Sequence, residues 1–325
     1  MHPEQTDYSK LTLRDLLEAR EQSHNSFINK RNVIGTAVGR YLIRLADIDK
    51  NGQYKPNSIK KVRTLENSVV TDFSWNCILV FVNSWEEEEN LKEKNPTDVV
   101  PKFIQLRDGR YVPVCVVEAP KEIVSDTHVN INKLRFPENL IGGGFPLIIQ
   151  SQGIRHIATV GCLVTDGHKY YALTNKHVAG VEGEKVNSVM GSVETEIGIS
   201  SGIALGKVDF NDLYGGLPNS NILVSCDVGL IDIHDVSQWK TDVVEIGQMD
   251  ELYDLNMFSL NLELIAEHDV AGGERQPSSR GLVIGHGAVS KKIKGEIAAL
   301  FYRYKSVGGT EYVSDFLISG RDGKS

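Results

Sequence analysis

The feature that most constrains the fold is a series of short apolar runs that begins at Pro146 and continues almost to the last residue. Glycine, asparagine and aspartate separate the runs at short intervals, and helical periodicity is nearly absent. The runs are LIIQSQ, HIATVGCLVT, KYYALTN, NILVSC, VGLIDI, FSLNLELIAE, GLVIGHGAV, GEIAALFYRY and TEYVSDFLIS. Short strands punctuated by turn residues are typical of an all-β sandwich or barrel. We therefore expect residues 145–325 to form an all-β domain.

The sequence before this region has a different pattern. Residues 9–30 place apolar side chains at helical spacing, with Ser9 or Thr12 as the candidate cap. We therefore predict an N-terminal helical segment over 1–30. The runs VIGTAVGRYLIRL, WNCILVFV and YVPVCVVEA are predicted to be strands. Together these elements predict a small α+β domain at 31–140.

An acidic run, Glu86–Glu89, lies between the second and third of these strands, in a segment predicted to be a helix or a solvated loop. Such a run forms either an acidic binding patch or the solvated face of a helix. We favour the solvated face, because runs of like charge are usually exposed to water.

The boundary between the two regions is predicted at the segment FPENLIGGGFPL. It combines three consecutive glycines, Gly142–Gly144, with Pro137 and Pro146. Regular elements rarely tolerate this density of glycine and proline, so we predict a hinge or turn. A phosphate-binding loop is disfavoured, because no strand–loop–helix pattern surrounds the glycines.

The charge balance argues against one class of function. Lys and Arg total 35 against 43 Asp and Glu, a net charge of −8, whereas proteins that coat nucleic acid are usually basic. No apolar run reaches the roughly 18 residues of a membrane-spanning helix. The polar N-terminal residues lack the apolar region of a signal peptide. We expect a cytoplasmic protein with no nucleic-acid partner and no membrane association.

The cysteines and most histidines give no metal-binding pattern. The four cysteines form no C-x-x-C pair and lie in or beside apolar runs, as free thiols do in a reducing compartment. His156, His168 and His286 have no second ligand two or four residues further along the chain. No metal and no organic cofactor is expected.

His177 and Asp227 are the candidates for chemistry. His177 follows an apolar strand-like run, and a strand exit can hold a side chain rigidly at the edge of a cleft. Asp227 opens a predicted strand between apolar neighbours, where a carboxylate needs hydrogen-bond donors. An imidazole N–H is such a donor, and the pairing would fix the tautomer of a general base.

The string GCLVTDGHKYYALTNKHVAG, followed by DVGLIDI, resembles the trypsin-like (chymotrypsin-fold) serine peptidases. The blocks WNCILVFV, DGRYVPVCVVEA and FYRYKSVGGTEYVSDFLI extend the resemblance over about 30–325, to a bacterial intracellular type with an N-terminal α+β domain. The order His, Asp, Ser belongs to this fold. The resemblance implies a chymotrypsin-like double β-barrel, with His177 as general base and Asp227 as its orienting carboxylate.

The nucleophile motif of that family, G-[DN]-S-G, does not occur in the sequence. The region after Pro146 is also short for two barrels, so we expect the second barrel to be incomplete in this chain. The nucleophilic serine is then expected beyond residue 325, in a longer or self-cleaved product. Ser325 is the less favoured alternative, because Gly323-Lys324-Ser325 imitates the first three positions of the motif, with lysine in place of the acidic residue.

These observations predict a serine endopeptidase that cleaves protein or peptide substrates and is inactive as this portion alone. The expected partner is the remaining C-terminal part of the protease domain or a regulatory protein. The resemblance further suggests regulated activity in bacterial stress or antiphage defence. The alternatives are an inactive pseudoprotease that acts as an adaptor for protein partners, and a different β-rich enzyme in which His177 and Asp227 are coincidental.

Overall fold

The computed structural model describes residues 7–56, 62–119, 133–151, 154–217, 222–253, 255–256, 259–271, 274–277, 280–305 and 311–320. Three α-helices lie within these ranges: α1 (Leu13–Ile28), α2 (Glu88–Lys94) and α3 (Phe210–Leu213). No helix in these ranges is both long and apolar enough to cross a bilayer.

Helix α1 confirms the predicted amphipathic helix and identifies its cap. The Thr12 hydroxyl accepts the backbone N–H of Asp15 at 3.2 Å, and the Asp15 carboxylate accepts the backbone N–H of Thr12 at 2.8 Å. This reciprocal pair satisfies two backbone donors that the first turn of a helix leaves unpaired. The helix therefore begins at Leu13, after Thr12 rather than after Ser9.

Twenty strands account for most of the remaining regular structure in the described ranges. The strands before residue 120 are β1 (Val33–Arg40), β2 (Ile43–Arg44), β3 (Ser68–Val69), β4 (Asn76–Val82), β5 (Phe103–Gln105) and β6 (Tyr111–Glu118). The later strands are β7 (Ile141–Gly143), β8 (Pro146–Ser151), β9 (Ile154–Thr159), β10 (Leu163–Thr165), β11 (Tyr170–Thr174), β12 (Lys185–Met190), β13 (Val193–Asp209), β14 (Leu223–Ile233), β15 (Trp239–Val243), β16 (His268–Ala271), β17 (Glu274–Pro277), β18 (Leu282–Gly287), β19 (Lys291–Lys305) and β20 (Glu311–Gly320).

Fourteen of these strands form one sheet. Its main path runs β5-β6-β4-β1-β19-β20-β14-β13-β12-β8-β9, with β11 pairing to β14, β10 to β11 and β18 to β19. The chain is therefore rich in β-structure with few helices, as predicted. Within the described ranges the strands do not close into a barrel, so the double barrel with an incomplete second half stays a prediction.

The sheet continues across the predicted boundary near residue 140. Strand β1 of the first region pairs with β19 of the second, where Thr36 lies opposite Arg303. The division into segments 1–30, 31–140 and 145–325 stays a prediction about domains. What the structure describes is a sheet that the first and last parts of the chain build together.

Two hydrophobic cores lie along this sheet. The first contains α1, β1, β4 and β6 and includes the fully buried Leu16, Leu17 and Phe81. The second contains β8, β12 and the later half of β14, with Phe145 and Ile231 fully buried. The second core supports the strands from which the candidate site is built.

An ionic cluster attaches α1 to the last two strands. Arg303 on β19 donates through Nη1 to both carboxylate oxygens of Glu21 on α1, at 2.9 and 3.0 Å. Its Nε donates to Glu311 on β20 at 3.0 Å. His24, buried in α1, lies beside the cluster with Nδ1 3.1 Å from the hydroxyl of Thr36. The N-terminal helix is thus held to the C-terminal hairpin by buried polar contacts.

The structure corrects the prediction of an irregular segment at Gly142–Gly144. Ile141–Gly143 forms the buried strand β7, which pairs in parallel with β15. A β-carbon at Gly143 would lie 2.5 Å from the carbonyl oxygen of Gly161, so the close approach of two backbones requires glycine here. Only Gly144, with φ of +84°, makes the expected turn.

The run FSLNLELIAE was also predicted to be a strand, and this prediction was wrong for its described residues. Leu262–Leu264 form one turn of 3-10 helix. The Asn261 side chain accepts the backbone N–H of Glu263 at 2.9 Å, and this local bond competes with pairing in a sheet.

Candidate active site

Two neighbouring strands position His177 and Asp227. His177 lies in a single 3-10 turn, Lys176–Val178, directly after β11. Asp227 lies inside β14, four residues after its first residue, rather than at the start of a strand as predicted. Strands β11 and β14 pair antiparallel, with Thr174 opposite Gly229. This register places His177, in the turn that follows β11, alongside the middle of β14.

Gly229 lets the 3-10 turn lie directly on β14. A β-carbon at this position would be 2.5 Å from Cβ of Ala179 and 3.2 Å from Cα of Lys176. Real side-chain carbons essentially never approach so closely, so only glycine permits this packing. The contact sets the height of the turn above the sheet, and with it the position of His177.

The side chains of His177 and Asp227 form a short hydrogen bond. Nδ1 of His177 lies 2.6 Å from Oδ2 of Asp227, and the backbone N–H of His177 donates to Oδ1 at 3.1 Å. An ionised carboxylate only accepts hydrogen bonds, so Nδ1 carries the proton and donates it. The neutral imidazole then has its lone pair on Nε2.

Asn175 is a third member of the site, which sequence reasoning missed. Its Nδ2 donates to Oδ2 of Asp227 at 3.2 Å and to the Asp227 carbonyl oxygen at 3.4 Å. The available signal was its position, two residues before His177 at the same strand exit. The Asp227 carboxylate thus receives three donors from one short segment.

The backbone of Asp227 has φ of +49°, in the left-handed region that residues other than glycine rarely adopt. Aspartate and asparagine tolerate this region better than most residues. The pairing of β13 with β14 shifts register between Leu205 and Lys207, opposite this position. Residues held in such conformations cluster at functional sites, because the surrounding structure must offset the strain.

The hydrogen bonds keep Asp227 ionised. Partial burial acts to raise the pKa of Asp227, but the hydrogen bonds from His177 and Asn175 outweigh it and lower the pKa below its usual value. The His177 side chain is 68% exposed and that of Asp227 is 38% exposed. Within the described ranges, Nε2 of His177 has no hydrogen-bond partner. The arrangement therefore presents an oriented, accessible proton acceptor.

The other candidate residues do not join this pair. Ser325 lies outside the described residues. Of the described histidines, His156 and His168 are exposed, whereas His286 is buried beside a separate cavity. No group of three or more His, Cys, Asp or Glu residues is placed to hold a metal ion in the part of the chain that the structure describes.

Comparison with known proteins gives one curated relative of interest. No protein-family model matches the chain. A protein of Bradyrhizobium tropiciagri, named a probable serine protease, is 41% identical over 325 residues, an alignment that covers 98% of this chain. The chain spans 40% of the length of that relative. The similarity therefore includes the candidate site together with the helix and strands that precede it.

Proposed function

We propose that this chain is the part of a serine protease that supplies the general base, His177, and the carboxylate that orients it, Asp227. The observation that carries the proposal is the 2.6 Å hydrogen bond between Nδ1 of His177 and Oδ2 of Asp227. The name of the Bradyrhizobium relative, a probable serine protease, supports the same activity class. The order of the two residues along the chain supports the trypsin-like class, since chymotrypsin-fold enzymes place His before Asp.

In the proposed mechanism, His177 takes the proton of a serine hydroxyl on Nε2 while the serine oxygen attacks the carbonyl carbon of the scissile peptide. Asp227 stays ionised and stabilises the imidazolium that forms, because its own pKa is lowered. His177 then gives the proton to the leaving amine, and water resolves the acyl-enzyme by the same route in reverse. Backbone N–H groups near the serine would hold the oxyanion.

The nucleophilic serine comes, in this proposal, from residues outside those that the structure describes. Within the described ranges no serine hydroxyl bonds to Nε2 of His177. Ser325 and a serine in a longer product are the two candidates that the family's motif suggests. Both fit the exposed imidazole, which leaves Nε2 open to a group brought from elsewhere.

Several finer predictions accompany this proposal and rest on the resemblance. They are a chymotrypsin-like double barrel, cytoplasmic location, regulation through the N-terminal region or a protein partner, and a role in stress or antiphage defence. Protein or peptide substrates follow from the activity class. The pseudoprotease alternative would keep the fold and dispense with hydrolysis.

Hydrolysis of unfolded casein by the protein purified from its natural gene tests the proposal. We expect His177→Ala to lower the rate by about 10³-fold or more, as loss of a catalytic base does. His168→Ala is the matched control, because His168 is exposed on a turn and lies outside the site. Equal rates for His177→Ala and the unmodified protein would refute the assignment.

A further inference from the structure

A cavity of about 810 Å³ lies at the other end of the sheet, against β4, β5, β6 and α2. The proposed protease site, in the turn after β11 and on β14, is separated from this cavity by β19 and β20 along the sheet. Pockets that bind ligands typically enclose roughly 300–1,000 Å³, so the cavity is of the size used for recognition. The proposed protease mechanism gives it no role.

Aromatic side chains form much of the wall. The rings of Tyr41 and Trp75 lie 4.7 Å apart, and those of Tyr8 and Phe103 stack at 5.9 Å. The guanidinium of Arg63 already lies over the Tyr41 ring, 4.8 Å from its centre. Aromatic faces attract cations through the negative charge above the ring. The wall is therefore suited to ammonium or guanidinium groups.

The acidic run Glu86–Glu89 lines the same cavity. Glu88 is neutralised by Lys92 at 2.6 Å and Lys102 at 3.3 Å. Glu86 is exposed and forms no ion pair with any described residue. We expected this run to be only a solvated helix face. In the structure, it leaves the Glu86 carboxylate available in a cavity that is also lined by aromatic rings. A cationic ligand would satisfy both features.

One further observation favours a peptide over a small free amine. Strand β5 is an end strand of the main sheet path, paired on one side to β6. Such an edge can pair with the backbone of an extended peptide.

We propose that this cavity is a binding site for a basic peptide segment, which places a lysine or arginine side chain between the aromatic wall and Glu86. The peptide backbone lies along the edge of β5. This site is independent of His177 and Asp227, so it does not rest on the proposed protease function.

Intrinsic tryptophan fluorescence and calorimetry test the proposal on the full chain. The probe is a blocked nonapeptide with four arginines separated by glycines, and the matched control carries glutamate in place of arginine. Two of the three tryptophans line the cavity, whereas Trp239 packs against the second core. We expect saturable binding of the basic peptide, with a fluorescence change, and none of the acidic peptide. Binding should weaken in high salt, because exposed charges are screened.

Substitutions locate the site. Glu86→Gln removes the charge without a change of shape and should weaken binding by about three- to fivefold. Glu251→Gln is the matched control, because Glu251 is exposed and lies outside the cavity lining. It should bind as the unmodified protein does.

Three results would overturn the proposal. The first is no binding of the basic peptide to folded protein. The second is equal binding by Glu86→Gln and Glu251→Gln, which would place the peptide elsewhere. The third is binding of N-acetyl-lysine methylamide as tight as that of the peptide, which would make the ligand a small amine.

Discussion

Gly229 and Ala179 lie in such close contact that a β-carbon on residue 229 would be 2.5 Å from Cβ of Ala179. This contact joins β14, which carries Asp227, to the segment that carries His177. The geometry of the site therefore depends on a residue with no side chain and no chemistry of its own. It also explains why a turn so short can hold an exposed imidazole in place.

Gly229→Ala is expected to displace the 3-10 turn from β14 and to lower proteolytic activity by about tenfold or more, since misplacement of about 1 Å is costly in catalysis. Overpacking should also reduce the free energy of unfolding by about 1–3 kcal/mol. The matched control is Gly215→Ala, whose β-carbon would meet its nearest atom at an ordinary 3.5 Å. Unchanged activity and stability in Gly229→Ala would show that the turn is not positioned by this contact.

Asn175 is expected to act as a positioning residue for Asp227. Asn175→Ala removes the hydrogen bond to Oδ2, and loss of a bond to a charged group corresponds to about 10- to 100-fold in kcat. KM should change little, because Asn175 contacts Asp227 rather than the peptide. Steady-state kinetics on a peptide substrate measure both constants. A rise in KM with unchanged kcat would instead place Asn175 in substrate binding.

His24 is expected to make the fold sensitive to acid. Burial and the nearby charges of Arg303 and Arg20 lower the pKa of His24 to about 3. An unfolded histidine binds its proton near pH 6.5, so between roughly pH 6.5 and pH 3 the unfolded state binds more protons than the folded state. Stability contributed by the neutral form is therefore lost as the pH falls, on the order of 3 kcal/mol between pH 7 and pH 4.

Urea unfolding at pH 7 and pH 4 measures this effect. The free energy of unfolding should differ less between the two pH values in His24→Gln, which has no imidazole at this position. The full difference should remain in His168→Gln, because His168 is exposed. An equal loss of stability between pH 7 and pH 4 in the two variants would assign the acid sensitivity to other groups.

The sequence was sufficient to predict α1 and most strands, because apolar periodicity and capping residues are local signals. The hairpin of β12 and β13 was missed. Strand β13 is 17 residues long but mostly exposed, and its glutamates, serines and single threonine obscure the alternation of apolar and polar residues. Strand β7 was missed for a different reason. Its glycines are typical of a turn, but here they allow two backbone segments to pack closely.

The candidate site was accessible to sequence reasoning only in part. The strand exit at His177 and the apolar neighbours of Asp227 suggested that the two residues meet. The pairing of β11 with β14, the positive φ of Asp227 and the contact at Gly229 arise from the assembled sheet. The pairing of β1 with β19 likewise joins residues far apart in the sequence, and no local pattern indicates it.

Fluorophosphonate labelling tests the central proposal most directly, since these probes react with activated serines. The protein should be purified from its natural gene, labelled in its folded state, and mapped by intact mass and peptide analysis. We expect a single labelled serine outside the described residues, with labelling lost in His177→Ala and retained in His168→Ala. Folded protein that does not react with the probe, or equal labelling in both variants, would contradict the assignment of His177 as the base of a serine protease.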